Sequence, residues 1–301
     1  MGVMAKPSAA RRWWRVVFHA GLVLAMGQTN ACAKPARDPR FPAGTDWRWA
    51  IDYGPATDAT LAGQYDVLVL EPDHDRTPAS LRRPGGLAIG YISLGEVEKS
   101  RPAAAALAAA GALLAANPHW PDARYADLRH ARWRAEVLDR LVPAILAKGY
   151  NGIFMDTLDN AEAMERANPI DNAGMVDAAA SLVRAIHERF PAAIIVMNRG
   201  YALLPKVADA IDGVLGEAMA TRWNFRTRTY DTLSEGDWNW QAARLRAARQ
   251  ANPALALMTL DYWEPGDAAG VRALYDRERA AGFVPYVSVL ALDRIVPEPG
   301  R

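Results

Sequence analysis

Eight short apolar runs alternate with helical patterns along this chain, which predicts a parallel sheet flanked by helices. Every run ends in a polar or charged residue, whereas its start carries glycine, alanine or a turn residue. The 268 residues after Ala33 suit a single barrel of roughly 250 residues. These three observations predict an α/β fold, a (β/α)8 TIM barrel forming one domain over residues 40–301. An open doubly wound sheet is the alternative. For nucleotide binding it would carry a glycine-rich first turn, and Asp52-Tyr-Gly-Pro is not one.

Residues 1–33 read as a signal peptide. Lys6, Arg11, Arg12 and Arg15 precede an apolar run from Val16 to Met26, and Ala31-Cys32-Ala33 is a small-x-small cleavage site. Cleavage between Ala33 and Lys34 is expected, giving an exported protein, periplasmic or extracellular. The run is short for a membrane span, so no stable insertion is expected after cleavage; an uncleaved anchor is the alternative. Losing four basic residues leaves 31 Lys+Arg against 34 Asp+Glu, a net charge of −3. That balance argues against a nucleic-acid partner. Cys32 is the only cysteine, so the processed chain has neither an internal disulfide nor a thiol nucleophile. A monomer is expected.

After a proline-rich lead, Trp47–Tyr53 alternates like a first strand, followed by a short helix over Thr57–Gln64. Tyr65–Glu71 is the second strand, Ala79–Arg83 a helical piece, and Gly86–Ser93 the third strand. Alanine-rich Pro102–Ala116 predicts a helix and Asn117–Pro121 a loop. Trp133–Leu146 is an amphipathic helix with Pro143 as a kink. The fourth strand, Ile153-Phe-Met155, follows the turn residues Gly149 and Asn151-Gly152 and ends in Asp156. Helix Val176–Phe190, strand Ala193–Asn198, helix Tyr201–Ala210 and strand Gly213–Glu217 come next. Helix Trp238–Ala251, strand Ala254–Asp261, helix Ala268–Ala281 and strand Phe283–Ser288 complete the pattern.

In a barrel, reacting groups project from the C-terminal strand ends. Those ends carry Asp52 and Tyr53, then Glu71, Asp73 and His74, then Ser93 and Glu96. Asp156 with Asp159 follows, then Asn198 and Arg199, Glu217, Asp261 with Tyr262, and Ser288. Two carboxyl groups facing each other across a cleft are the machinery of glycoside hydrolysis. Asp156 and Glu217, each closing an apolar strand, are the candidates. A lone strand-end aspartate is also a common helix cap, a role open to Asp156-Thr157. Glu71-Pro-Asp-His-Asp75 matches no zinc spacing, so neither metal nor cofactor is expected. Trp120, Trp223, Trp238, Trp240, Tyr262 and Trp263 crowd the connections after strands, where aromatic faces suit sugar rings.

Four segments carry a family resemblance: Tyr65-Asp-Val-Leu-Val-Leu-Glu-Pro-Asp-His74, Gly90-Tyr-Ile-Ser-Leu-Gly-Glu96, Gly152-Ile-Phe-Met-Asp-Thr-Leu-Asp159 and Val214-Leu-Gly-Glu217. In this order they resemble glycoside hydrolase family 114 and the related hydrolase domains that act on Pel-type polysaccharide, with Glu71-Pro-Asp-His74 leaning towards the latter. The resemblance implies a barrel that cleaves α-1,4-linked galactosamine or N-acetylgalactosamine polymers, and it places the family's strand-four aspartate at Asp156 and its strand-six glutamate at Glu217. The residues themselves suggest a rigid, ionised nucleophile in Asp156 and a longer-reaching acid/base in Glu217, hence retention. Asp52, Tyr53, Glu71, Asp73, Glu96, Asp159, Asn198, Arg199, Trp223, Asp261 and Tyr262 are expected to contact substrate. An acidic face including Glu71, Asp73, Glu96, Asp261 and Glu264 would concentrate a cationic, partly deacetylated polymer. The alternatives are an α-galactosidase-like hydrolase of neutral oligosaccharides and a non-catalytic carbohydrate-binding barrel.

Overall fold

A computed structural model describes residues 40–118 and 120–301. The expected signal peptide, residues 1–33 with Cys32 and the Ala33–Lys34 junction, lies outside the described residues, as does His119. Eight parallel strands form a nearly closed barrel. They are β1 (Trp49–Asp52), β2 (Val67–Leu70), β3 (Leu87–Ser93), β4 (Gly152–Asp156), β5 (Ile194–Asn198), β6 (Gly213–Glu217), β7 (Ala256–Tyr262) and β8 (Val284–Ser288). Each pairs with its neighbours in chain order. At the seam between β8 and β1, the Trp49 indole Nε1 donates to the Val284 carbonyl at 2.9 Å.

The strands form because their sequences suit burial on both faces. Val67-Leu-Val-Leu70 and Ile194-Ile-Val-Met197 are apolar throughout, and every residue in them is buried. The outer layer is helical. Helix Met175–Arg189 turns Leu182, Val183 and Ile186 inward, as their spacing predicts. Each large apolar side chain buried this way contributes about 1.5–3 kcal/mol. No helix among the described residues is long and apolar enough to cross a membrane.

Several stretches differ from the sequence expectation, which does not include helix Asp159–Ala167. The expected helix Tyr201–Ala210 shortens to Leu204–Val207 with a 3-10 turn, and three more stretches differ in kind. Pro102–Ala116 is not one helix: the helix spans Ala104–Ala109, Gly111 turns at φ 74°, and Leu113–Ala116 becomes a strand. That strand pairs antiparallel with Ala123–Ala126, which also pairs with Glu96–Glu98. Alanine's helix propensity yields here to the burial of Leu113 and to the Arg124 guanidinium, which binds the Leu113 and Leu114 carbonyls. Around Pro143 the helix does not simply kink. Ala131–Glu136 and Val142–Ala147 are joined by a π turn over Val137–Leu141. The wider turn accommodates a ring that lacks an N–H and crowds the preceding turn. Finally, β6 is followed by a hairpin, Thr221–Asn224 with Thr229–Thr232, that no strand pattern announces.

Candidate active site

Asp156, Asn198 and Glu217 occupy the last positions of three successive strands, β4, β5 and β6. The residue after each is left-handed: Thr157 at φ 64°, Arg199 at φ 50° and Ala218 at φ 55°. For residues bearing a Cβ this conformation is unfavourable by about 1–2 kcal/mol, so surrounding bonds must impose it. Thr157 Oγ1 accepts from the Gly95 N–H at 2.8 Å and lies 2.9 Å from Ser93 Oγ. Gly95 must be glycine, since a Cβ there would overlap the Thr157 carbonyl oxygen. The Arg199 and Ala218 N–H groups donate at 2.8 Å to Leu215 and Leu260, and Gln241 Nε2 donates to the Ala218 carbonyl at 2.9 Å. Three sharp turns thereby leave three polar side chains together at the mouth.

One amide joins the two acids. Asn198 Nδ2 donates to Asp156 Oδ1 at 2.9 Å and to Glu217 Oε2 at 2.6 Å. Oxygens sharing one nitrogen at these lengths lie at most about 5.5 Å apart, and about 4.8 Å apart when the amide hydrogens diverge by about 120°. Asn198 Oδ1 is buried without a partner among the described residues. The reverse amide orientation would set that oxygen against two carboxylates. Asp156 Oδ1 also accepts from the Thr157 N–H at 2.8 Å, and Oδ2 from the Tyr91 hydroxyl at 3.0 Å. Glu217 Oε1 accepts from the Tyr262 hydroxyl at 2.5 Å.

Burial, and then the charge of Glu217, push Asp156 up to about 6, against the donors on Asn198 and Thr157. Burial first and nearby carboxylates second hold Tyr53, Tyr91 and Tyr262 well above the usual phenol range, so all three remain neutral. The Tyr53 and Tyr91 rings pack at 4.6 Å. Tyr91 is a site residue that the sequence reading did not single out. It pairs with Phe154 as Ser93 pairs with Asp156, so strand alternation alone puts it on the interior face.

The remaining candidates divide by what their side chains hold. Asp159 opens the helix Asp159–Ala167 and lies 3.7 Å from Arg199, beside the acid pair; burial raises its pKa. The Trp223 ring packs on Tyr230 at 4.8 Å in the hairpin wall. Four acids expected on an unpaired acidic face are instead committed. Glu71 and Asp73 share Arg101, at 3.4 and 2.9 Å, and Asp73 also binds Lys148 at 2.9 Å. The Lys148 bond holds Asp73 below the usual carboxylate range, whereas burial raises Glu71. Glu96 Oε1 accepts from Asn117 and Asn160, each at 2.6 Å, so it fastens the insertion after β3. Asp261 Oδ1 is buried and accepts from the Ala220 and Thr221 N–H groups at 2.8 Å, anchoring the hairpin. Asp52, also buried, shapes its own loop by accepting from the Gly54 N–H at 2.7 Å. A buried carboxylate at a strand end cannot be left unpaired, and Asp52, Glu96 and Asp261 found donors in the loops, as did the more exposed Glu71 and Asp73.

Glu217 opens into a cleft of about 400 Å3 lined also by Arg199, Ala218, Arg222, Leu233, Asp237, Trp240 and Gln241. Trp240 is 47 % exposed there, with Arg244 stacked 3.5 Å above its ring. Trp238, by contrast, is core and donates to buried Glu278 at 2.6 Å. Gly216 does not free space for a ligand; a Cβ there would meet Met219 Sδ at 2.6 Å, so it admits core packing behind Glu217.

Two carboxyl groups bridged by one amide at the C-terminal mouth of a barrel, beside a cleft bearing Trp240, suit glycosidic bond cleavage. The comparisons with known proteins agree. The glycoside hydrolase domain of PelA from Pseudomonas aeruginosa superposes with a TM-score of 0.71 at 29% identity, covering 82% of this chain and 96% of that one. Ega3 of Aspergillus fumigatus, solved in complex with galactosamine, shares the fold with a TM-score of 0.62 at 17% identity, over 87% of this chain and 99% of that one. An uncharacterized protein of Deinococcus radiodurans is 26% identical over 87% of this chain and 86% of its own length. The profile of glycoside-hydrolase family GH114 matches residues 28–300. The chain belongs to glycoside-hydrolase family GH114 and is a glycoside hydrolase.

Proposed function

We propose that this hydrolase is exported and cuts α-1,4-linked galactosamine or N-acetylgalactosamine polymers internally, with retention of configuration. Family membership and likeness to the PelA hydrolase domain support the polymer class. The observation that carries the mechanism is the Asn198 bridge. Its bonds keep the nearest carboxyl oxygens within about 5.5 Å, the spacing of retaining enzymes, where inverting pairs stand roughly 6.5–9.5 Å apart.

Asp156 serves as nucleophile. Three donors, one of them a fixed backbone N–H, stabilise its charge, and Oδ2 carries only the Tyr91 hydroxyl. Glu217 serves as acid/base. It faces the cleft, within reach of the glycosidic oxygen of a bound chain. Asp156 attacks the anomeric carbon as Glu217 protonates the departing oxygen. Glu217 then takes a proton from the water that releases the glycosyl-enzyme.

The test combines polymer digestion with azide. Purified acetylated and deacetylated polymers should yield oligosaccharides by mass spectrometry. Asp156→Asn and Glu217→Gln should each lose about three orders of magnitude or more in turnover while folding normally. Azide should rescue Glu217→Ala on a substrate with a good leaving group, giving a glycosyl azide of retained configuration. A glycosyl azide of inverted configuration from Glu217→Ala would reverse the two roles, and full activity in either acid variant ends the assignment.

A further inference from the structure

Two insertions rise from the barrel mouth, one after β3 and one after β6, and meet at their tips. The first follows β3, with Trp120 in the connection between its strands Leu113–Ala116 and Ala123–Ala126. The second is the hairpin after β6, with Phe225 opening its turn. The hairpin body leans over β7 and β8. Asp261 of β7 holds Thr221, the Tyr230 ring lies 6.4 Å from that of Trp263, and the Tyr230 hydroxyl accepts from the Leu290 N–H at 3.2 Å. In an eight-stranded barrel β7 stands opposite β3. Yet the Phe225 ring meets Trp120 edge-to-face, with centroids 6.4 Å apart. This contact therefore spans the mouth whose rim carries Asp156, Asn198 and Glu217.

Trp120 is 57 % and Phe225 67 % exposed, so the contact covers only part of either ring. Pinning the hairpin alone would not require this. Asn224 already fixes the turn, its side-chain oxygen accepting from Arg226 and Thr227 and its amide donating to Asp231 at 2.7 Å. Large rings left in water at loop tips, bordering an active site, mark a surface that a ligand completes. Pyranose rings offer flat C–H faces that stack on such side chains.

We propose that Trp120 and Phe225 form an aromatic clasp that closes over the cleft and grips polysaccharide beyond the rings flanking the scissile bond. A single edge-to-face contact between loop tips opens readily, admitting an internal stretch of chain, and closes with sugar rings against the aromatic faces. The inference rests on the reading of the substrate as a galactosamine polymer.

Steady-state kinetics of the full chain on long α-1,4-galactosamine polymer and on the tetrasaccharide test it. Trp120→Ala and Phe225→Ala should each raise the polymer KM about tenfold while kcat stays within about twofold. Tetrasaccharide kcat/KM should change less than about twofold, because so short a chain ends before the clasp. Trp120→Phe should recover most of the polymer affinity, and the unfolding midpoints should match wild type, as exposed tips predict. An unchanged polymer KM overturns the clasp and leaves the polymer reading standing. Equal losses on both substrates overturn it too, since they mark a disturbed active site. Wild-type enzyme inert on both substrates removes the polymer reading, and the clasp with it.

Discussion

Asn198 sets the electrostatics of the acid pair, because one amide nitrogen stabilises negative charge on both oxygens it touches. Removing it should strengthen the repulsion that, after burial, raises Asp156 to about 6. As the proposed nucleophile, Asp156 must be ionised, so activity should fall as pH drops through about 6, and Asn198→Ala should move this acid limb of kcat/KM to higher pH. A pH–rate profile checks the sign: an unmoved or lowered limb would mean Asn198 does not stabilise the charged pair. At this scale much of the site was legible. Asp156, Asn198 and Glu217 stand out because each interrupts an apolar run at its last position. Tyr91 does not, since a tyrosine within a strand reads as core unless its alternation with Ser93 is counted. Whether a strand-end acid faces substrate or a loop was not legible at all. Asp156 and Asp261 look alike in sequence, and only the partner loops separate them.

The elements that shape the mouth were the least legible. A barrel strand buries every residue and so announces itself, as Val67-Leu-Val-Leu70 does. The hairpin Thr221–Asn224/Thr229–Thr232 has one face towards solvent and draws its order from Asp261, a residue some forty positions on. The strand Leu113–Ala116 is likewise imposed from outside, on a stretch whose own preference is helical. This dependence gives a prediction. Asp261→Ala should leave the Ala220 and Thr221 N–H groups buried without an acceptor, lowering stability by about 2–4 kcal/mol. Urea unfolding measures the loss. If stability were kept and only affinity for deacetylated polymer changed, Asp261 would be a substrate contact and not an anchor.

Six acids spread through the barrel share a direction. Glu278 is 1 % exposed, and burial followed by the charge of Asp261 pushes it up to about 7, although Trp238 donates to it. Asp156 stands at about 6, and burial also raises Asp52, Glu71, Asp159 and Asp261. A carboxyl whose pKa is higher folded than unfolded binds its proton more tightly in the fold. Its contribution is complete below the unfolded value and disappears as pH rises through the folded one. Asp73 and Asp127 are lowered and act in the opposite sense, but only below the ordinary carboxylate range. Between pH 5 and pH 8 the raised groups therefore dominate, and the protein should unfold at a lower temperature at pH 8 than at pH 5. Asp156 and Glu278 should contribute on the order of 1–3 kcal/mol each to that difference. Glu278→Gln keeps an acceptor for the Trp238 indole and removes the charge, so it should flatten the upper part of the profile while activity persists. Asp156→Asn should flatten the part near pH 6 and abolish turnover, making the inactive enzyme the more stable one at pH 8. Calorimetry of the three proteins across this range decides the matter: a wild-type midpoint that is level or rises from pH 5 to pH 8 would show that these acids keep their ordinary affinities inside the fold.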